Sequence, residues 1–210
     1  MERIMEKEQK KGFVYWFKNV FWYHYGKLSI LVLFLLGTAI WFTVDALKKV
    51  EYDLNVAVVA DSGVARSDLQ RLADLMAEAA GDLNGDGKAL VNVSAVNLGD
   101  EGNRESTQYQ LMLYLSLPEY TIFLMNDRES ALFCRQEDTF QPLADYGIAT
   151  DDESGLRIWV GDKAILPSAC RDDCYACLAD WTTSGKGSAA ATEASVRALE
   201  ALLASPAAEG

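Results

Sequence analysis

Seventeen consecutive residues without a charge, "LSILVLFLLGTAIWFTV" at 28–44, constrain this chain more than any other feature. A helix rises 1.5 Å per residue, so about 20 apolar residues cross a bilayer core roughly 30 Å thick. With "FWYHYGK" before it and "DALKK" after it, the run predicts one transmembrane helix over 28–47. A cleaved signal peptide would pair a basic start with a short apolar core and a small-x-small cleavage site. Here the run is long, begins only at Leu28 and is followed by Asp45, Lys48 and Lys49 with no Ala-x-Ala pattern, so a retained anchor is expected.

Basic residues near the span set its orientation. Arg3, Lys7, Lys10, Lys11, Lys18 and Lys27 precede it and only Lys48 and Lys49 follow closely, which predicts a cytoplasmic N-terminus and an extracellular C-terminal domain in the cell membrane. Aromatic residues from Phe13 to Tyr25 crowd the near side, and residues 1–27 read as a cytoplasmic, interfacial amphipathic segment. Beyond residue 44 the chain holds 13 basic against 28 acidic residues, a net charge of −15. Nucleic acid and anionic lipid would be repelled, so neither is an expected partner of that domain.

From residue 48 to 204 the pattern is that of one α/β domain, followed by a flexible tail at 205–210. "YDLNVAVVA" (52–60) reads as a strand. "RSDLQRLADLMAEAA" sets Leu69, Leu72, Leu75, Met76 and Ala79 on one helical stripe, with Ser67 and Gln70 at capping-box spacing. A second strand at 89–98, a helix near 105–117 closed by Pro118, and a strand at 120–126 with apolar residues on both alternating sets follow. Strands separated by helices imply crossovers and a Rossmann-like, mainly parallel sheet. A short helix over 128–135, a hairpin in "LRIWVGDKAIL" (156–166) turning at Gly161 and Asp162, and a linker leading to a last helix that buries Val196, Leu199 and Leu203 complete the expectation.

The order strand, helix, "DLNGDGKALVNV", helix, "QLMLYLSLPEYTIFLMND" resembles the first lobe of type 2 periplasmic-binding-like extracellular solute-binding proteins, and a group of membrane-anchored ectodomains of Gram-positive anaerobes. The resemblance covers roughly residues 50–146. It implies a solute-binding fold, but a two-lobed binder needs about twice this length, and function belongs to the site rather than to the fold.

In an open parallel sheet, ligands lie beyond the carboxyl ends of the strands. Those ends carry Asp61, Ser62 and Gly63, then Asn97 with Asp100, then Asn126 and Asp127, the expected ligand-binding positions. Helix caps and turns demand the same residue types. Asp82, Asn84 and Asp86, with Gly87, have the spacing that opens a calcium loop. Position 12 of that loop is Val93 instead of an acidic ligand and a strand follows instead of a helix, so a polar turn is the first reading and a metal site the second.

Cys134, Cys170, Cys174 and Cys177 allow three pairings, and two disulfides are their ordinary use outside the cell. A four-thiolate zinc site lacks a second Cys-x-x-Cys pair. A redox Cys174-x-x-Cys177 would sit beside Asp172 and Asp173, which disfavour a thiolate. The Cys-x3-Cys-x2-Cys spacing resembles that of radical S-adenosylmethionine enzymes, which place it early in a long intracellular barrel, whereas here it comes late, at 170–177.

The only histidine, His24, lies at the membrane, so no Ser-His-Asp or Cys-His arrangement can form in the outer domain. No Gly-x-x-x-x-Gly-Lys-Ser/Thr loop is present, and Asp151-Asp152 and Asp172-Asp173 read as solvated turns. The expected function is therefore a membrane-anchored, non-enzymatic binding domain without a cofactor, taking a small solute or an envelope protein. The alternative is an accessory subunit of an integral membrane complex, with a degenerate solute-binding-like lobe.

Overall fold

The computed structural model describes residues 22–48, 50–100, 102–180 and 188–208. The basic and aromatic residues expected before Trp22 and the linker at 181–187 lie outside the described residues. The chain divides into two units, Met1–Val50 and Glu51–Gly210.

The first unit contains helix α1 (Trp22–Lys48). Its stretch Tyr25–Val44, 20 residues of mean hydropathy 2.0, is long and apolar enough to cross a membrane. Leu31, Leu33, Phe34, Leu36, Ile40 and Trp41 are exposed along it. Its two threonines keep their hydroxyls inside the helix. Thr38 Oγ1 donates to the Phe34 carbonyl at 2.7 Å and Thr43 Oγ1 to that of Ala39 at 2.8 Å, so neither asks for water.

The second unit is a mixed α/β fold. In chain order it runs β1 (Leu54–Ala60), α2 (Arg66–Ala80), β2 (Val91–Asn97), α3 (Arg104–Ser116), β3 (Tyr120–Met125), α4 (Asp127–Phe133), β4 (Arg157–Trp159), β5 (Tyr175–Leu178) and α5 (Ala189–Ala204). The five strands form one sheet in the order β2-β1-β3-β5-β4. β1 pairs in parallel with β2 and β3, and β5 pairs antiparallel with β3 and β4. β1 is Val-rich and central, with every side chain but that of Asn55 buried. β3 is buried along its whole length, as its two apolar sets require.

Alternation sorts the core into two halves. Val56, Val58, Ile122 and Leu124 face α2 and α5, packing with Leu72, Met76, Leu199 and Leu202. Ala57, Val59, Phe123 and Met125 face the other way, against Leu111 of α3, Phe133 of α4 and Phe140. The two crossovers thus lie on opposite faces of the sheet, the arrangement that strand order 2-1-3 demands of right-handed connections.

Several local expectations are corrected. Helix α2 begins at Arg66 with Ala65 as its cap and no side-chain cap bond, so Ser67 lies inside the first turn and the capping box does not form. The buried stripe of α2 is Leu72, Ala73, Met76 and Ala80. On α5 it is Ala194, Ser195, Ala198, Leu199 and Leu202, with Val196 and Leu203 only partly covered. No hairpin occupies 156–166. β4 pairs with β5, and after Val160 the chain loops away so that Ile165 and Leu166 reach the core. The expected tail is held as far as Ala208, whose N–H donates to the Asp162 carbonyl at 2.7 Å, while Ala164 N–H donates to that of Pro206 at 3.0 Å.

Candidate functional site

Strand order reverses about β1, so the crevice that open α/β sheets use lies between the carboxyl ends of β1 and β3. Here that crevice is bridged. Asn126 Nδ2 donates to Asp61 Oδ2 at 3.2 Å, and Asn126 Oδ1 accepts from Glu129 N–H at 2.9 Å as the cap of α4. The loop after β2 closes over the other side. Asn97 Oδ1 accepts from Gly99 N–H at 3.1 Å, and a β-carbon at Gly99 would stand 1.7 Å from the Asp61 carbonyl oxygen. Asp100 is occupied in its own turn, accepting from Gly102 N–H at 3.1 Å and from Asn103 Nδ2 at 2.9 Å.

The structure thus brings Asp61, Asn126 and Asp127 to one edge of the sheet and leaves Asn97 and Asp100 as caps of a neighbouring loop. Ser62 and Gly63 are exposed at the turn before α2.

Asp127 leads from this edge to a second cluster that sequence reasoning missed. Its N–H donates to Asp173 Oδ1 at 2.8 Å, and its Oδ1 accepts from an Arg157 terminal nitrogen at 2.8 Å. Arg157 also donates from Nε to Asp152 Oδ1 and from the same terminal nitrogen to Ser130 Oγ, both at 2.8 Å. Its guanidinium lies 4.3 Å above the Tyr175 ring centre. β4 carries Arg157 and β5 carries Tyr175, so the antiparallel edge of the sheet supplies the cation and the ring, while Asp127 and Ser130 come from α4, directly after the parallel strand β3.

The electrostatics follow from these contacts. Burial would raise the Asp152 carboxyl, but hydrogen bonds from Ser154 and Arg157 outweigh it and hold that group below the usual carboxylate range. Burial would likewise lower Arg157, and the carboxylates of Asp152 and Asp127 more than compensate, leaving its proton held more firmly than usual. Arg157 is thereby a neutralised hub, not a cation offered to solvent.

Beside the hub a cavity of about 350 Å³ opens at the end of β4. Trp159, 48% exposed, and Tyr175 supply aromatic surface and Asp151 an exposed carboxylate, while the side-chain oxygens of Thr150 and Asp152 are engaged with Arg157, Ser154 and the Asp152 N–H. Gly161 lies against the edge of the Trp159 ring. A β-carbon there would meet Trp159 Nε1 at 2.9 Å and the Asp172 backbone at 3.2 Å, and Asp172 itself has a φ of 72°, in the left-handed region. The sequence signal was "RIWVG", in which an aromatic side chain on a short strand precedes a glycine.

The 82–87 loop is a capped turn. Asp82 accepts from Gly85 N–H at 2.7 Å and from Gly87 N–H at 2.8 Å, Asn84 from Asp86 N–H at 2.8 Å, and Asp86 from Lys88 N–H at 2.8 Å. Asp53 holds its base, taking Leu83 N–H at 2.8 Å on one oxygen and Leu90 N–H at 2.7 Å on the other. Among the described residues, no three His, Cys, Asp or Glu side chains group to hold a metal ion.

All four cysteines are free thiols, in place of the two disulfides expected of them. Cys170, Cys174 and Cys177 are buried, and Cys134 is partly exposed. No family model, curated protein or solved structure matches the chain.

Proposed function

We propose that this chain is a single-pass, membrane-anchored binding domain with a cytoplasmic N-terminus, whose outer α/β unit takes a small hydrogen-bond-donating solute in the cleft beside Trp159. The observation that carries this reading is the cleft itself. Its volume of about 350 Å³ lies within the range of small-molecule sites, roughly 300 to 1,000 Å³, and it combines the aromatic rings of Trp159 and Tyr175 with the exposed Asp151 carboxylate. The net charge of −15 beyond residue 44 favours a neutral or positively charged ligand over an anion. The solute-binding-like lobe is the family reading consistent with this role, with the edge of the sheet, instead of the bridged crevice, doing the binding.

The test is a thermal-shift screen of the full-length protein in detergent against sugars, amino acids, short peptides and divalent ions. A ligand at 100 times its dissociation constant should add about 2.7 kcal/mol of stability. Trp159→Ala should abolish that gain while leaving the unliganded melting temperature within about 1 °C, since a half-exposed side chain contributes little to the core. A gain that survives Trp159→Ala sinks the site.

A second reading, an accessory subunit of a membrane complex, is favoured by α3. Leu111 is its single fully buried residue, while Tyr109, Met112 and Leu113 are 73%, 53% and 43% exposed. A flat ligand screen together with co-purification of an integral membrane partner, lost in Tyr109→Ser/Met112→Ser, would select this reading.

A further inference from the structure

The four thiols fall on opposite sides of one sheet. Cys177 sits on β5 opposite Phe123 of β3 and packs into the core half built from Phe123, Phe133 and Phe140. Cys134, the residue that ends α4, packs against that same half. Cys170 and Cys174 belong to the other half, with Leu124, Val160 and Ala176. The sequence motif Cys174-x-x-Cys177 is therefore misleading. Three residues apart along extended chain, its two side chains point to opposite faces, so they form neither a dithiol nor two corners of a tetrahedral metal site.

Cys134 and Cys177 are neighbours in the Phe123 half of the core, close enough for each thiol to act on the other's ionisation, and they differ in access. Cys177 is fully buried, whereas Cys134 opens onto a shallow depression of about 340 Å³ walled by Arg135, Phe140 and Leu156. We propose that Cys134 and Cys177 form a thiol–disulfide exchange site, in which Cys134 is the accessible nucleophile, Cys177 the resolving thiol, and a small-molecule disulfide the oxidant.

The surroundings suit the two roles. The neighbouring Cys177 thiol favours the Cys134 thiolate, burial opposes it, and the charge of Arg157 adds to the favourable side against that of Asp152, so the Cys134 thiol lies below its ordinary value. Burial pushes Cys177 well up, which keeps it a thiol until its partner has reacted.

In the first step the Cys134 thiolate attacks one sulfur of the external disulfide, forming a mixed disulfide and expelling one external thiolate, which takes up a proton. In the second, Cys177 gives up its proton and attacks Cys134 Sγ, forming the Cys134–Cys177 bond and releasing the other external thiol. The protein dithiol loses two protons and two electrons, and the external disulfide gains both in becoming two thiols.

The test uses the full-length protein in detergent, reduced, freed of reductant and then incubated with oxidised glutathione. Cleavage after Arg171 and after Tyr175 puts Cys170, Cys174 and Cys177 on separate peptides, so each link is assignable by mass. The expected result is a loss of two hydrogens and a peptide joining Cys134 to Cys177, with no Cys134 link to Cys170 or Cys174. Cys177→Ser should stop at one glutathione adduct on Cys134, and Cys134→Ser should leave Cys177 unmodified. A wild-type chain in which Cys134 remains a glutathione adduct, or becomes linked to Cys170 or Cys174, overturns the proposal. The wild-type map needs no substitution to fold.

Discussion

A β-carbon at Gly99 would stand 1.7 Å from the Asp61 carbonyl oxygen, a distance no side-chain adjustment relieves because both groups are backbone. Gly99→Ala should therefore cost about 1 to 3 kcal/mol in denaturant unfolding, by forcing the loops after β1 and β2 apart. Arg157 offers a second test. Its bonds to Asp152 and Asp127 are those of a largely buried cation, so Arg157→Gln should cost about 2 kcal/mol at neutral pH. Asp152 is held below the usual carboxylate range, which means the folded chain binds that proton less tightly than the unfolded one. The contribution is complete above the unfolded value of about 4 and is lost as pH falls through the lowered folded value. The stability gap between wild type and Arg157→Gln should stay flat from pH 7 to about 5 and narrow below about 4. A gap that widens in acid would refute the assignment. The residues at the ends of the parallel strands were legible by type, since caps and ligands call for the same Asn and Asp. Which of them cap was not, because Asn126 and Asp61 are 65 positions apart and only folding makes them neighbours.

Helices α2 and α5 pack face to face on one side of the sheet, although β2 to β5 all intervene between them along the chain. Their contact is mainly apolar, with one polar tie. Arg197 donates from a terminal nitrogen to the Ala80 carbonyl at 2.7 Å and from Nε to that of Ala79 at 3.3 Å, placing a cation on the free carbonyls at the end of α2. Leu202→Ala, which empties a fully buried position of this layer, should cost about 2 to 5 kcal/mol, and Arg197→Met about 1 kcal/mol, both read as shifts in the denaturant midpoint. Equal costs for the two would mean that the polar tie, and not the packing, holds α5. The first three strands and the helices between them were readable because β1 and β3 are continuous apolar runs of strand length and α2 carries a period near 3.6, with Pro118 marking the end of the helix before β3. β4 and β5 were not. So short a strand as Arg157–Trp159 carries no period, and its partner lies beyond an irregular loop, so local pattern suggested a hairpin where the true pairing is distant. The capping box failed for a related reason, since Ser67 and Gln70 have the spacing but the chain enters α2 two residues earlier, with Ala65 as the cap.

Across the whole α/β unit, the chain between Cys134 and Cys177 contains β4, the hub residue Arg157 and the wall of the proposed cleft. This segment has little regular structure of its own, only the short β4, the start of β5 and two single-turn helices at Leu143–Tyr146 and Ser168–Cys170. Its order in the reduced chain rests on Arg157, on buried side chains such as Leu143 and Leu166, and on the β4–β5 pairing. A bond joining its two ends would remove loop-closure entropy from the unfolded chain, worth about 4 kcal/mol for a loop of this length if the native geometry accepts the bond without strain. Oxidised full-length protein should therefore resist urea more than reduced protein by about 2 to 4 kcal/mol. The gain should vanish in Cys134→Ser and persist in Cys170→Ser, after allowing for what each substitution costs the reduced chain. If the cleft is the binding site, the same bond also tightens its frame. Ligand affinity would then rise modestly on oxidation, while a ligand bound elsewhere would be indifferent to the redox state. A stability gain without an affinity change would separate the thiol pair, as a structural device, from the cleft.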